Sequence, residues 1–485
     1  MITDRDSAEL QRTILLTGGR APATLELARL LHQAGHIVDV AESLPQQLCA
    51  WSKAVRRSFV VPPPRQQPQA YIDELVRIVK QQQIDLLIPT CEEIFYVAHG
   101  REQLRQVCEV LVPMADQMRS LHHKGDFIRL VHAAGVDVPD TMVISSAEQW
   151  EVVQQGHWSS RLPLSDSMQD LDAMYDAPNV HPSRSLVFKP AYSRFASKVI
   201  MPAHNVAVSD HSAIVDDQAK RSTAPFIPAP DDISEQQPWI AQAYVPGEQL
   251  CTYSIVYEGM VVAHATYQSR YRSSESGASV HFEALDCPDT LAWVQRLVQQ
   301  WSFETNTAAP SSDDSHMNNT ASPTSQSSKK PLSPSTFSGQ LSFDLIQERE
   351  TGKLYPIECN PRATSGIHLF RAEDGLDQAI TAPHLLVKKG QMITPQPGRR
   401  VMLTLPMLTS GWGRSWSSAQ WKHWLKAMKG SQDAVFRWQD HKPFFGQFAL
   451  VWAALRISRR EQITITEALT HDIEWNGQPP ERSSI

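Results

Sequence analysis

The chain has 485 residues, 41% hydrophobic and 20% charged, with a formal net charge of −7. These values fit a globular chain better than a fibrous or disordered one, and the lack of a basic tract argues against a nucleic-acid partner. At the usual ~100 to 200 residues per domain, two to four domains and small-molecule partners are expected.

Cys49, Cys91, Cys108, Cys251, Cys287 and Cys359 form no CxxC pair, so reduced thiols are expected. The opening MITDRDSAELQR lacks the basic and apolar regions of a secretory leader. Residues 444–457, the most apolar late stretch, are too short to cross a bilayer, which takes ~20 residues. A cytoplasmic location without membrane contact follows as an expectation.

Residues 13–16 are an apolar run. Thr17-Gly18-Gly19-Arg20 follows, then Leu25, Leu27, Ala28, Leu30 and Leu31, a pattern that reads as strand, tight turn and helix. A second strand is predicted over 36–41, a helix over 70–82, and a third strand over 84–88, ending in Pro89-Thr90-Cys91-Glu92-Glu93. This alternation predicts a parallel α/β sheet with its ligand edge at the strand carboxyl ends, where Gly18, Gly19 and Glu92 would meet. The pattern resets near residue 120, with a helix over 124–134 stopped by Gly135. Strands are then predicted over 185–190, 198–201 and 239–245, and a β-rich run over 252–266, 341–345 and 354–358 makes the middle of the chain α+β. Residues 305–338, rich in Ser, Thr, Pro and Asn, read as a mobile surface insertion whose deletion spares the fold; residues 155–182 and 203–236 also read as loops. Beyond Pro395 a small helical C-terminal lobe is expected, carrying Trp412, Trp416, Trp421, Trp424, Trp438 and Trp452. The expected units are 1–120, 121–394 and 395–485.

The densest chemistry lies in Leu341-Ser342-Phe343-Asp344 and Tyr355-Pro356-Ile357-Glu358-Cys359-Asn360-Pro361-Arg362. In an alternating strand Glu358 and Asn360 share a face, and Asp344 on a neighbouring antiparallel strand can join them. Two carboxylates and an amide oxygen suit Mg²⁺, which takes its other ligands from water and phosphate. Spacing alone fits solvated strand residues and an Asn-Pro turn better than a metal site. Lys189, in the apolar run Leu186-Val187-Phe188-Lys189-Pro190, fits either a ligand lysine or one that snorkels to solvent. The chain has no GxxxxGK[ST] loop, and no Ser-His-Asp or Cys-His pairing stands out.

The run IECNPRATSGIHLF, preceded by the strand carrying Asp344, resembles the magnesium strand pair of the ATP-grasp ligases. The resemblance implies an ATP-grasp architecture with an N-terminal parallel α/β (pre-ATP-grasp) domain, and ATP with Mg²⁺ or Mn²⁺ as cofactors. It assigns Asp344, Glu358 and Asn360 to the metal, and Arg362 to phosphate or the activated intermediate. Lys124 and Lys189 match the two lysines that hold ATP phosphates in the family, Lys189 also helping ADP to leave. Ala241-Gln242-Ala243-Tyr244-Val245-Pro246-Gly247-Glu248 is similar to the family's hinge, with Tyr244 and Val245 as backbone adenine contacts and Glu248 as ribose ligand.

Two departures from the family stand out. The loop Ala191-Tyr192-Ser193-Arg194-Phe195-Ala196-Ser197-Lys198 has no glycine, which leaves Ser193, Arg194 or Ser197 to hold phosphate. Ser342 stands where peptide ligases of the family often place an arginine; Arg270, as a catalytic cation, and Arg272 could supply that charge, or be exposed loop residues. TILLTGGR, PTCEE, FKPAYSR and IECNPRATSGIHLF look most like the mycosporine-glycine synthase branch. That branch implies joining of glycine to 4-deoxygadusol, a cyclohexenone whose enol is a vinylogous acid, with release of ADP and phosphate. Gly19 and Arg20, Glu92, Arg272 and His368 are the substrate candidates, Arg20 or Arg270 receiving glycine's carboxylate. A ligase for true carboxylates and a non-catalytic nucleotide binder remain as alternatives, and the oligomeric state stays open, a homodimer included.

Overall fold

The computed structural model describes residues 11–154, 185–192, 198–201, 227–272, 278–301, 336–410 and 416–478. Strands β1 (Thr13–Thr17), β2 (Ile37–Glu42), β3 (Arg57–Val60), β4 (Leu86–Ile88) and β5 (Glu109–Val110) form a parallel sheet in the order β3-β2-β1-β4-β5. Proline opens both long helices of this unit, Pro22–Gln33 and Pro68–Gln82, where its missing N–H leaves no carbonyl unpaired. Their apolar stripes, with Leu27, Ala28 and Leu31 in one and Ile72, Leu75 and Val79 in the other, are buried. The strand order changes direction between β1 and β4, and the crevice at such a point, beyond the carboxyl ends of the strands, is where α/β sheets bind ligands. Gly18 makes the turn there at φ +78, and a Cβ on it would lie 2.7 Å from Thr90 Oγ1, so only glycine fits the close approach.

The middle of the chain builds two antiparallel systems. Strands β6 (Thr141–Ile144), β7 (Leu186–Pro190) and β8 (Trp239–Ala243) form a small sheet in the order β6-β8-β7. The strand expected over 198–201 contributes a single bridge, Ile200 to Phe188. Strands β9 (Gly247–Tyr257), β10 (Met260–Arg272), β11 (Ser279–Leu285), β12 (Gly339–Glu348) and β13 (Leu354–Asn360) belong to a larger sheet, ordered β13-β12-β9-β10-β11-β14-β15. The C-terminal segment carries the expected helices, Thr404–Ser410, Ser418–Gly430 and Lys442–Glu461. It also supplies the last two strands of that sheet, β14 (Arg400–Met402) and β15 (Gln432–Asp433).

The parallel unit and the large sheet share one core. Leu25, Leu27 and Leu31 of the Pro22–Gln33 helix pack in the same cluster as Tyr253 and Ile255 of β9, Phe282 of β11, and Ile367 and Leu369. Helices Lys124–Ala133 and Pro288–Gln300 cover the opposite face around Phe127, Trp293 and Phe343. Phe337 is fully buried in that second cluster and its carbonyl accepts from the Gly259 N–H at 2.9 Å. The insertion read over 305–338 therefore ends earlier at its C-terminal side; residues 305–335, like 155–182, lie outside the described residues. No described helix is long and apolar enough to cross a membrane.

Candidate active site

Strands β12 and β13 pair so that Asp344 faces Glu358 and Ser342 faces Asn360. Phe343 and Cys359 point into the core, which turns Asp344, Glu358 and Asn360 to the other face. Burial, together with the Glu358 charge and a hydrogen bond to it, pushes the Asp344 carboxyl well above the carboxylate range. Burial also opposes ionisation of Glu358, but Lys124, the hydrogen bond from Asp344 and Lys189 outweigh it and hold that group low. The two facing carboxyls are thus driven apart, Glu358 toward its ionised form and Asp344 toward its protonated one.

Among the described residues no three His, Cys, Asp or Glu side chains converge as a self-sufficient metal site. The set present is two carboxylates and the Asn360 amide. It fits a hard divalent cation that would relieve the repulsion between the two carboxyls and complete its shell with water and phosphate oxygens.

Two lysines approach this pair from different elements. Lys124, at the start of its helix, is buried and places Nζ 3.3 Å from Glu358 Oε2. The turn before it is held by His123, whose Nδ1 accepts from the Asp126 N–H at 3.0 Å. Lys189, on β7, is buried and donates from Nζ to Gln242 Oε1 on β8 at 3.0 Å and to the Ile357 carbonyl on β13 at 3.2 Å. It therefore ties the small sheet to the large one. Burial pulls its ammonium down to about 7; Glu358 opposes this and Lys124 adds to it. A polyanion placed beside Lys189 would favour its charged form.

Arg362 extends the cluster to the parallel unit. Its Nη2 donates to Asn360 Oδ1 at 3.0 Å and lies 3.8 Å from Glu92 Oε1 at the sheet's carboxyl edge. Gln340 Nε2 donates to the Pro89 carbonyl at 3.0 Å and fixes that edge against β12. Arg272 acts electrostatically on Asp344 and lowers its pKa, against the larger effect of burial. The N–H of Tyr244 donates to the Ser185 carbonyl at 2.8 Å, while the half-buried Val245 follows at the end of β8. Glu248 is exposed on β9 and accepts from Gln268 Nε2 at 3.1 Å. Ser193 lies outside the described residues, as do Arg194 and Ser197.

Four sequence candidates are placed differently from the expectation. Arg20 is buried, and its guanidinium is taken up by Glu42, by Asp472 at 2.7 Å and by Ser43 at 2.7 Å, so its charge is already balanced and cannot serve glycine's carboxylate. Gly19 packs against Gln47 and Val40. His368 is buried with Nδ1 3.9 Å from Glu26 and its ring stacked on Phe282, inside the core shared by the two sheets. Arg270 is exposed and paired with Glu283 at 2.8 Å, a carboxylate also held by Arg400. Gln242 escaped the sequence reading. Its signal was a lone polar residue in the apolar strand Trp239-Ile240-Ala241-Gln242-Ala243, and it is buried, donating to Thr141 Oγ1 at 2.9 Å while accepting from Lys189.

No family model and no curated protein matches the chain. Among solved structures it is similar to N5-carboxyaminoimidazole synthetase from Staphylococcus aureus complexed with ADP, at 11% identity and a TM-score of 0.46, over 80% of each chain. It is similar to L-amino acid ligase from Bacillus licheniformis at 12% identity and a TM-score of 0.44, over 73% of this chain and 68% of that one. For the biotin carboxylase–β,γ-ATP complex from Campylobacter jejuni the values are 10% and 0.44, over 74% and 67%.

Proposed function

We propose that the chain is an ATP-dependent ligase of the ATP-grasp kind, which activates an oxygen of a small acceptor by phosphorylation so that an amine can displace it. The observation that carries this reading is the convergence of Lys124, Lys189, Asp344, Glu358, Asn360 and Arg362 from separate elements onto one face. A magnesium ion at Asp344, Glu358 and Asn360 would neutralise phosphate charge. Lys124 and Lys189 grip the phosphates, and Arg362 steadies the charge that develops on the transferred group. Because the Tyr244 N–H is already spent, adenine contacts fall to the Tyr244 carbonyl and the Val245 N–H, with Glu248 toward the ribose.

The acceptor we favour is 4-deoxygadusol and the amine glycine. The enol oxygen attacks the γ-phosphorus and ADP leaves. The glycine nitrogen then adds to the ring carbon, loses a proton to solvent, and phosphate departs with the former enol oxygen. The carbonyl conjugated to that carbon makes it electronically equivalent to an acyl phosphate. A true carboxylate acceptor is the second reading, favoured by the nearness of the Arg272 charge to Asp344.

Phosphate release from Mg-ATP, with mass spectrometry of the products, separates these readings. Release that needs both 4-deoxygadusol and glycine, with formation of the adduct, supports the first. Release with carboxylic acids and amines moves the acceptor, and ATP binding without turnover across both sets would overturn the enzyme assignment.

A further inference from the structure

Residues 469–478 cross the carboxyl edge of the parallel sheet and are fastened to it at several points. Asp472 holds Arg20 at 2.7 Å, its carbonyl accepts from the Arg65 N–H at 2.9 Å, and the Glu474 carbonyl accepts from the Tyr96 hydroxyl at 2.6 Å. Trp475 is buried and stacked on Phe95 with ring centroids 4.6 Å apart, and its Nε1 donates to the Gln478 carbonyl at 2.7 Å. This strap is therefore rigid against the N-terminal unit.

Tyr192 packs against the strap. Its ring centroid lies 5.8 Å from that of Trp475, edge to face, and a Cβ on Gly477 would fall 2.4 Å from Tyr192 Cζ. Gly477 also sits at φ +90, so glycine is needed there both for the turn and for the contact. Tyr192 also packs on His122 and His123, with centroids 5.6 and 5.0 Å away, and His122 in turn lies 6.2 Å from Trp475. The carbonyl of Ala191 accepts from the Lys124 N–H at 3.1 Å. Tyr192 thus occupies the corner between Lys189, just before it on β7, and Lys124, just after His123.

We infer that Trp475 and Gly477 are positioning residues for phosphate binding, pressing Tyr192 into the His122–His123 corner and so fixing the separation of Lys124 and Lys189. The inference rests on the reading of those two lysines as the phosphate grip. Lysine is a point charge on a flexible stem, so its backbone anchor sets where the charge can reach. A displacement of about 1 Å at such a group can cost on the order of a hundredfold in function.

The test is calorimetric titration of the full-length protein with MgADP and separately with adenosine, which lacks phosphates, with melting temperature measured alongside. Trp475→Ala and Gly477→Ala should weaken MgADP about tenfold or more while leaving adenosine unchanged, and Trp475→Phe, which keeps a ring on Phe95 and Tyr192, should restore binding. Equal weakening of both ligands, or no weakening in folded variants, would overturn the inference while leaving the lysine assignment intact. If Trp475→Ala fails to fold, Gly477→Ala and Trp475→Phe decide the matter. Absence of MgADP binding by the unmodified protein would sink the nucleotide reading and the inference with it.

Discussion

Glu358 is the residue on which the site's charges balance. With 25% of its side chain exposed, it faces Lys124 on one side and Asp344 on the other. Glu358→Gln should cut turnover at least about a hundredfold, the scale seen when one electrostatic stabiliser is lost. The melting temperature should move little, because Asp344, facing residue 358 and acting on Lys189, can ionise once the Glu358 charge is gone. Normal phosphate release by that variant would remove the metal-face assignment. His264 carries a different residue-scale expectation. It is buried between Ser254 Oγ at 2.9 Å and Thr266 Oγ1 at 3.0 Å, and burial pulls its imidazole from 6.5 to about 4. The unfolded chain therefore takes up that proton first as pH falls. Stability is complete above pH ~6.5 and drops as pH falls toward ~4, by on the order of 3 kcal/mol for this group. The loss of stability between pH 7 and pH 4.5, measured by urea unfolding, should be smaller in His264→Gln than in the unmodified protein by that increment, because other buried histidines such as His281 contribute alike to both.

At the scale of elements, the long insertion and the strand after it are separable. Trp301 and Phe337, on either side of residues 302–335, have ring centroids 6.1 Å apart, so the two ends of the segment meet. Replacing residues 303–335 with a short Gly-Ser linker should preserve turnover and melting temperature. Phe337→Ala, in contrast, should cost about 3 to 5 kcal/mol by emptying a core position, measured by urea denaturation. Strands β12 and β13 were legible in the sequence because Asp344, Glu358 and Asn360 alternate with Phe343, Ile357 and Cys359. Lys189 was legible as a cation inside an apolar strand. Strand β11 was not, since His281 and Glu283 lie among its buried residues and their polarity there marks no solvent face. Strands β14 and β15, of three and two residues, carry no period to read. The true partners of Arg20 and His368 were equally hidden. Asp472 stands 452 positions from Arg20, and only the fold brings the two together.

Across the whole molecule, the C-terminal segment completes the N-terminal unit. Arg29, buried on the first helix, donates to Asp440 Oδ2 at 2.9 Å and to the Ala434 and Val435 carbonyls at 3.2 and 2.8 Å. Arg437 holds Glu26 at 2.8 Å with both carboxylate oxygens engaged. Asp440→Ala leaves a buried guanidinium without its counter-charge and should cost about 3 to 5 kcal/mol in urea denaturation, whereas an exposed pair such as Arg460 with Glu461 should contribute under ~1 kcal/mol. Equal effects at the two sites would mean that Arg29 finds water or another acceptor.

The same wrapping sets a timetable for biosynthesis. A parallel sheet that leaves the ribosome first normally folds first, at elongation rates of ~5 to 20 residues per second. Here the surface around Arg20, Arg29 and Phe95 must wait for residues 434–475, a delay of roughly 20 to 70 s at those rates. During that interval the nascent N-terminal unit keeps Glu42 beside Arg20 but lacks Asp472 for it, lacks Asp440 for Arg29, and exposes the Phe95 ring. Its contacts are among the most non-local the described residues make, which slows the final step and leaves this edge open to chaperones until residues 434–475 have been made.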